Sequence, residues 1–247
     1  MGKVSAHHLS YTYPGATTPA LRDVSFTLYP REMVAIVGPI GCGKSTLAQA
    51  LPRLLAVAPG QLFLDGVDIT QLTLTDLRGA IAFVPQESFL FSTTIANNIR
   101  YGYPQEELEA VQKAATQAYI ATEINTFPQG YDTLVGERGI SLSGGQRQRA
   151  ALARALLLEA PVLVLDDALS SVDNQTASQI LNYLSQERHN TVLFISHQLS
   201  AAAQADRILV MDKGAIVQQG THSELLQQQG LYQTLWQQHQ LEQDLAQ

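Results

Sequence analysis

The stretch Gly38-Pro39-Ile40-Gly41-Cys42-Gly43-Lys44-Ser45 fits the pattern G-x-x-x-x-G-K-[ST]. It stands between an apolar run at residues 33–37 and a helix-periodic run at residues 44–55. Glycines at these places let consecutive backbone N–H groups curve round an anion, and the start of the following helix adds partial positive charge. Lys44 is placed to reach β- and γ-phosphates, and Ser45 offers a hydroxyl to Mg2+. Thr46 continues the binding stretch into the helix. A glycine-rich turn between strand and helix is the plain alternative, and the full pattern in this setting argues for a nucleotide-phosphate cradle. Cys42 reads either as a small buried filler or as a loop residue at which a bulky thiol reagent would block a nucleotide.

Working outward, residues 33–37, 162–165 and 191–195 are short apolar runs of the kind buried on both faces of a parallel sheet. Helical patterns follow each one, at 44–55, 174–186 and 199–205, so the alternation predicts an α/β domain with a mostly parallel sheet. Residues 4–13 and 21–29 alternate roughly between polar and apolar across a turn-rich Pro14-Gly15-Ala16-Thr17-Thr18-Pro19, which predicts an antiparallel hairpin. Between Gln86 and Leu158 the strand signal disappears, and helical spacing at 106–119 and 145–158 predicts a helical insertion. The expected organisation is one domain, with a core from residues 1–85 and 159–247 and a helical subdomain at 86–158. A second hairpin is expected from 207–211 and 215–217 around Asp212-Lys213-Gly214. Thr221 with Glu224 three residues on looks like a capping box opening a C-terminal helix, and the glutamine-rich tail beyond it has no assigned role.

With 247 residues, 45% of them apolar, the chain can build a large core, which excludes general disorder. A net charge of −7 leaves no broad cationic face, so a nucleic-acid partner is not expected. No apolar stretch approaches the length needed to span a bilayer, so direct membrane insertion is not expected either. A single cysteine cannot form an internal disulfide, and no leader precedes the first strand, which points to a reducing, cytoplasmic setting.

The run Val162-Leu163-Val164-Leu165 delivers Asp166 and Asp167 to the carboxyl end of a central strand, where open α/β sheets bind ligands. Asp166 is expected to hold Mg2+ through its water shell, and Asp167 to orient or deprotonate the water that attacks a γ-phosphate. Alone, this pair is a weak signal with a strand-end turn or a helix cap as its alternative; beside the phosphate loop it reads as catalytic.

Leu142-Ser143-Gly144-Gly145-Gln146, followed by Arg147-Gln148-Arg149, resembles the signature motif of ATP-binding cassette (ABC) ATPases, a branch of the P-loop NTPases. A hydroxyl and two glycine amides at a helix start form a second anion site, although a capped helix start is the simpler reading. The resemblance implies that two such domains pair head to tail, with Ser143, Gly144, Gly145 and Gln146 gripping the ATP bound to the partner. It also implies that Tyr13 stacks on adenine, that Gln86 touches Mg2+ and water, that Ser171-Val172-Asp173 crosses to the other subunit, and that His197 contacts the γ-phosphate. Without it, Tyr13 would be an ordinary strand aromatic and His197 a structural residue. His7, His8, His189, His222 and His239 match nothing and read as structural or solvated. Thr133-Leu134-Val135-Gly136-Glu137-Arg138-Gly139 resembles a segment characteristic of exporters. Phe89-Leu90-Phe91-Ser92-Thr93-Thr94-Ile95 resembles the exporter surface that receives coupling helices of a transmembrane domain, with exposed apolar residues. The chain is thus expected to be an excised domain at the cytoplasmic face of a membrane, tethered through transmembrane helices elsewhere.

The family's usual residue at position 167 is glutamate. One methylene fewer draws the carboxylate back by roughly 1.5 Å, and a misplacement near 1 Å can cost about a hundredfold in rate. The departure resembles the degenerate subunit of a heterodimeric exporter, which binds ATP and hydrolyses it slowly. A symmetric homodimeric exporter, an ATP-gated regulatory module with negligible turnover and a small-molecule kinase are the competing readings.

Overall fold

The computed structural model describes residues 2–136, 140–187 and 189–245. Strands β1 (Val4–Tyr11) and β2 (Leu21–Leu28) form the expected antiparallel hairpin. Its imperfect alternation has a cause: the register shifts on both sides of Leu9, and His8 and Asp23 adopt φ of 50° and 53° where the strands bulge. β3 (Met33–Val37) follows, then α1 (Lys44–Ala50). The helix stops well before residue 55, because Pro52 has no N–H to give and Arg53 turns left-handed at φ 51°. The Arg53 guanidinium ties the end of α1 to the segment at 69–72 by donating to the carbonyls of Ile69 and Leu72.

Three elements that the periodicity does not announce come next: β4 (Leu62–Leu64), β5 (Val67–Asp68) and α2 (Leu74–Ala80). β4 pairs with β1, extending the antiparallel sheet to the order β2-β1-β4-β5. β6 (Ile81–Val84) then enters the main sheet. Helices α3 (Ile95–Ile99), α4 (Leu108–Gln117), α5 (Ala121–Ile124) and α6 (Gly144–Leu157) occupy the stretch without strand signal. Thr94 N-caps α3 by accepting from the Asn97 N–H.

β7 (Val162–Asp166), α7 (Asn174–Glu187), β8 (Thr191–Ile195) and α8 (Leu199–Ala202) complete the strand-helix alternation. β9 (Arg207–Asp212) and β10 (Ala215–Gly220) form the second hairpin. Lys213 and Gly214 both take positive φ, 45° and 83°, as the two-residue turn of a tight hairpin requires. The capping box at Thr221 and Glu224 is present, but it opens only the short α9 (His222–Gln227). The chain breaks at Gly230 and resumes as α10 (Leu231–Leu245). Among the described residues no helix is long and apolar enough to cross a membrane.

The main sheet has the order β10-β9-β3-β8-β7-β6, parallel throughout except for the β10 edge. Every residue of β3 is buried, and the pleat divides them. Met33, Ala35 and Val37 enter the core under α3–α8, whereas Val34 and Ile36 enter the core shared with α1 and the antiparallel sheet. Each fully buried Val or Ile contributes about 1.5–3 kcal/mol relative to exposure, so the central strands anchor both layers at once. The carboxyl ends of β3, β6, β7 and β8 therefore emerge along one rigid edge.

Candidate nucleotide-binding site

The loop after β3 is shaped by its glycines. Gly38, Gly41 and Gly43 have φ of 149°, 78° and 105°. A Cβ on Gly38 would lie 2.1 Å from the Met211 carbonyl oxygen, and one on Gly43 would lie 2.5 Å from that of Ala20, so both seat the loop against neighbouring backbone. A Cβ on Gly41 would meet open space on the exposed side of the loop. Ile40 projects from the rim, 91% exposed.

Lys44 is buried, and its Nζ donates to the carbonyls of Gly38 (2.8 Å) and Pro39 (2.9 Å). Among the described residues no carboxylate lies within ion-pair distance of it. A buried cation held by neutral partners at the mouth of a loop of backbone amides fits a phosphate chain. Cys42 is buried behind the loop, with Sγ 3.8 Å from Lys44 Nζ, and burial pushes its thiol up despite the lysine. A thiol reagent must therefore open the loop before it can block it.

Ser45 Oγ donates to Asp166 Oδ1 at 2.7 Å, bridging the loop to the end of β7. A hydroxyl and a carboxylate suit Mg2+, which keeps several waters and shares substrate phosphates. No group of three or more His, Cys, Asp or Glu among the described residues could enclose a metal unaided. Burial pushes the Asp166 carboxyl up from its ordinary value, and the Ser45 hydrogen bond pulls against it.

Asp167, the next residue, is buried and takes φ 50°, which turns its side chain away from Asp166 and toward Gln86 and His197. Gln86 Nε2 donates to Asp167 Oδ2 at 3.3 Å, and His197 Nε2 lies 3.9 Å from the same oxygen. Burial raises the Asp167 carboxyl, with His197 opposing. The structure thus brings Gln86, Asp167 and His197 together. The Gln86 amide is bonded to Asp167 rather than to Ser45 or Asp166.

Tyr13 is partly exposed, packs edge-on against Tyr11 at 5.0 Å and places its hydroxyl 3.2 Å from Thr46 Oγ1. Its ring accordingly stands beside the loop.

Ser143, Gly144, Gly145 and Gln146 start α6 elsewhere. Ser143 accepts from the Gln146 N–H, and Gln146 Oε1 accepts from the Ser143 N–H, a complete capping box. No hydrogen bond or ion pair among the described residues joins this segment to loop 38–46. It packs instead on the segment after β7: a Cβ on Gly145 would lie 2.7 Å from the Ser171 carbonyl oxygen. Glu123, which sequence reasoning does not single out, anchors the helix start. It accepts from Gln146 Nε2 at 2.8 Å and pairs with Arg149 at 2.6 Å. Its partners lie far along the chain, so only the buried arginine of the signature hints that a carboxylate must exist.

The apolar stretch 89–95 is less exposed than expected. Phe89 is 66% exposed, but Leu90 and Phe91 are half-buried and Ile95 is in the core, because it starts α3, which packs on α6 and α4. Phe91 stacks on Tyr101 at 4.1 Å with Arg154 over both rings. A groove beside them is lined by Leu54, Phe83, Phe89, Tyr101, Arg154 and Leu158. Of the exporter-like segment, Thr133 to Gly136 pack against Thr93 and Ile95, and Glu137, Arg138 and Gly139 lie outside the described residues.

A family model described as ABC transporter matches residues 21–170, from β2 through the loop after β7. The chain belongs to the ABC transporter family. It is an ABC nucleotide-binding domain of the ATPase family, with the α/β fold expected of one. The chain is 48% identical over 239 residues to an ATP-dependent lipid A-core flippase of Pseudomonas fluorescens (strain Pf0-1), covering 95% of this chain and 39% of the flippase. It is 44% identical over 242 residues to the multidrug resistance-like ATP-binding protein MdlA of Escherichia coli (strain K12), covering 98% of this chain and 41% of MdlA. A solved bacterial Atm1-family ABC exporter with ATP bound superposes with a TM-score of 0.90 at 42% identity, over 96% of this chain and 42% of the exporter chain. The ABC domain thus spans about two-fifths of the length of the relatives it matches.

Proposed function

We propose that this ABC domain binds and hydrolyses Mg-ATP in a head-to-tail pair and powers export through a transmembrane domain, with its own site slowed by Asp167. The observation that carries the reading is the separation of two anion-binding features. Lys44 lies in one, while the exposed Ser143 start of α6 has no hydrogen bond or ion pair with that loop among the described residues, so in this reading its phosphate belongs to a nucleotide held by another chain.

In this reading Lys44 exchanges its two carbonyl partners for phosphate oxygens, and Tyr13 supports the base. Ser45 and Asp166 would hold Mg2+, which when bound neutralises phosphate charge. The Asp167 carboxylate, raised by burial and so readier to take a proton, accepts one from water. The water oxygen bonds to the γ-phosphorus as the bridging P–O bond breaks and its electrons leave on ADP. Gln86 and His197 fix the carboxylate and the γ-phosphate position. Closure of the pair on ATP, more than bond cleavage, drives the transmembrane segments, and the groove at Phe89 and Tyr101 receives their coupling helices. The setting is the cytoplasmic face of a membrane. The relatives named as lipid A-core flippases make an amphipathic lipid the first cargo to test.

The test is Asp167→Glu. A hydrolysis rate that rises with the longer carboxylate supports a degenerate site within a heterodimer. A rate that stays the same, with brisk wild-type turnover, overturns that reading in favour of a symmetric homodimer. Negligible turnover in both, with tight ATP binding, points to an ATP-gated module.

A further inference from the structure

Gln148 lies two residues beyond the signature, on α6, and none of the roles above uses it. It is 5% exposed, and its amide is fully engaged with two other segments. Its Oε1 accepts from the Ser171 N–H at 2.8 Å, and its Nε2 donates to Ser170 Oγ at 3.0 Å and points at the Gln86 carbonyl oxygen at 3.5 Å. Those segments are the ones that hold Asp167. The Ser170 N–H donates to the Asp167 carbonyl at 3.2 Å, and the Gln86 side chain donates to Asp167 Oδ2 at 3.3 Å. Asp167 is therefore gripped by its backbone from one side and by its carboxylate from the other, and both grips meet at one amide.

The residue type matters. A side-chain amide accepts from an N–H and donates to a hydroxyl or carbonyl at the same time, with both groups fixed in one plane. Methionine would fill the same space and leave the Ser171 N–H without its acceptor. Glutamate would keep that acceptor and lose the donor toward Gln86.

We infer that Gln148 is a positioning residue that fixes the Asp167 carboxylate and links it to the signature helix of the same chain. Movement of α6 against a partner's nucleotide then reaches this chain's own carboxylate through Gln148. The inference rests on the reading of Asp167 as the group that activates water.

The experiment measures single-turnover hydrolysis, MgATP affinity and thermal stability in the full-length protein carrying this domain, for wild type, Gln148→Met, Gln148→Glu and Asp167→Asn. Gln148→Met is expected to slow hydrolysis about 10- to 100-fold, the cost of a carboxylate misplaced by about 1 Å. Its MgATP affinity should stay within about twofold of wild type, because the residue touches no part of the phosphate loop. Gln148→Glu is expected to slow hydrolysis less, and it provides the same reading should Gln148→Met not fold. Wild-type rates in both Gln148 variants, or a rate that falls only in step with affinity and stability, would overturn the inference. If Asp167→Asn itself hydrolyses at the wild-type rate, the underlying reading of Asp167 fails instead.

Discussion

The Ser45 hydroxyl donates to Asp166 across 2.7 Å, tying the start of α1 to the end of β7 although the two residues stand 121 positions apart. The bond lies at the carboxyl edge of the sheet, where β8 separates β7 from β3, the strand that leads into α1, and that edge is rigid because each of these strands is buried on both faces. Hence the phosphate loop and the acidic pair hold a fixed separation, and the remaining adjustability lies in Gln86, His197 and the segment after Asp167.

The buried acids make the fold less stable at neutral pH. Burial raises both Asp166 and Asp167 above 3.8. A raised acid binds its proton more tightly when folded, so stability is greatest below the unfolded value and declines as pH climbs from about 3.8 through the folded value. The cost is present wherever both carboxyls are ionised in the fold. Asp167→Asn is expected to raise the Tm there by about 2–4 °C, the shift that ~1 kcal/mol gives a domain of this size, while hydrolysis is lost. Calorimetry checks it, and a lower Tm would contradict the electrostatic account.

Two glycines of the loop should respond differently. Gly43→Ala must place a Cβ 2.5 Å from the Ala20 carbonyl at φ 105°, and is expected to cost about 2–4 kcal/mol in chemical denaturation. Gly41→Ala has open space at φ 78° and should cost only about 1–2 kcal/mol. Its methyl adds bulk to the phosphate loop, so MgATP affinity should fall at least about tenfold, measured by calorimetric titration. Equal stability losses in the two variants would be inconsistent with this geometry.

The C-terminal helix carries a pH-sensitive contact. His222 Nδ1 lies 2.7 Å from Tyr232 Oη, and its ring stacks obliquely on Trp236 at 4.5 Å. Burial lowers His222 below 6.5 and pushes Tyr232 up to about 12. A histidine kept neutral by the fold contributes stability above its unfolded value, and that contribution is lost as pH falls below 6.5. Trp236 is the only tryptophan, so its emission should change on acidification with a midpoint below 6.5, and His222→Phe should remove the change. A midpoint above 6.5 would place the transition elsewhere.

What was legible in the sequence was local. The phosphate loop, the acids at the end of β7 and the Ser143 cap each follow from a few adjacent residues, and β3, β7 and β8 lie where their apolar runs stand. Pro52 could have told where α1 ends, but the apolar periodicity past it reads as helix. β4 and β5 are too short to carry a period, and they exist because β1 offers an open edge. Ile95 reads as a surface residue because only the packing of α3 on α6 and α4 buries it. Glu123 and Gln148 carry no signal in the sequence for a common reason: their partners lie 22 to 62 residues away, and no local pattern encodes such contacts.

The central claim is that a working site takes Lys44 from one chain and Ser143 from another. The most direct measurement mixes two full-length variants, both carrying Asp167→Glu: Lys44→Ala, which keeps its signature, and Ser143→Arg, which keeps its phosphate loop. Each alone is expected to hydrolyse ATP at background rates, and the mixture is expected to regain activity, because one of its two composite sites is then intact. Full activity of Ser143→Arg alone would contradict the account, and a mixture that stays inert while Ser143→Arg still binds ATP would contradict pairing of the chain with a second copy of itself.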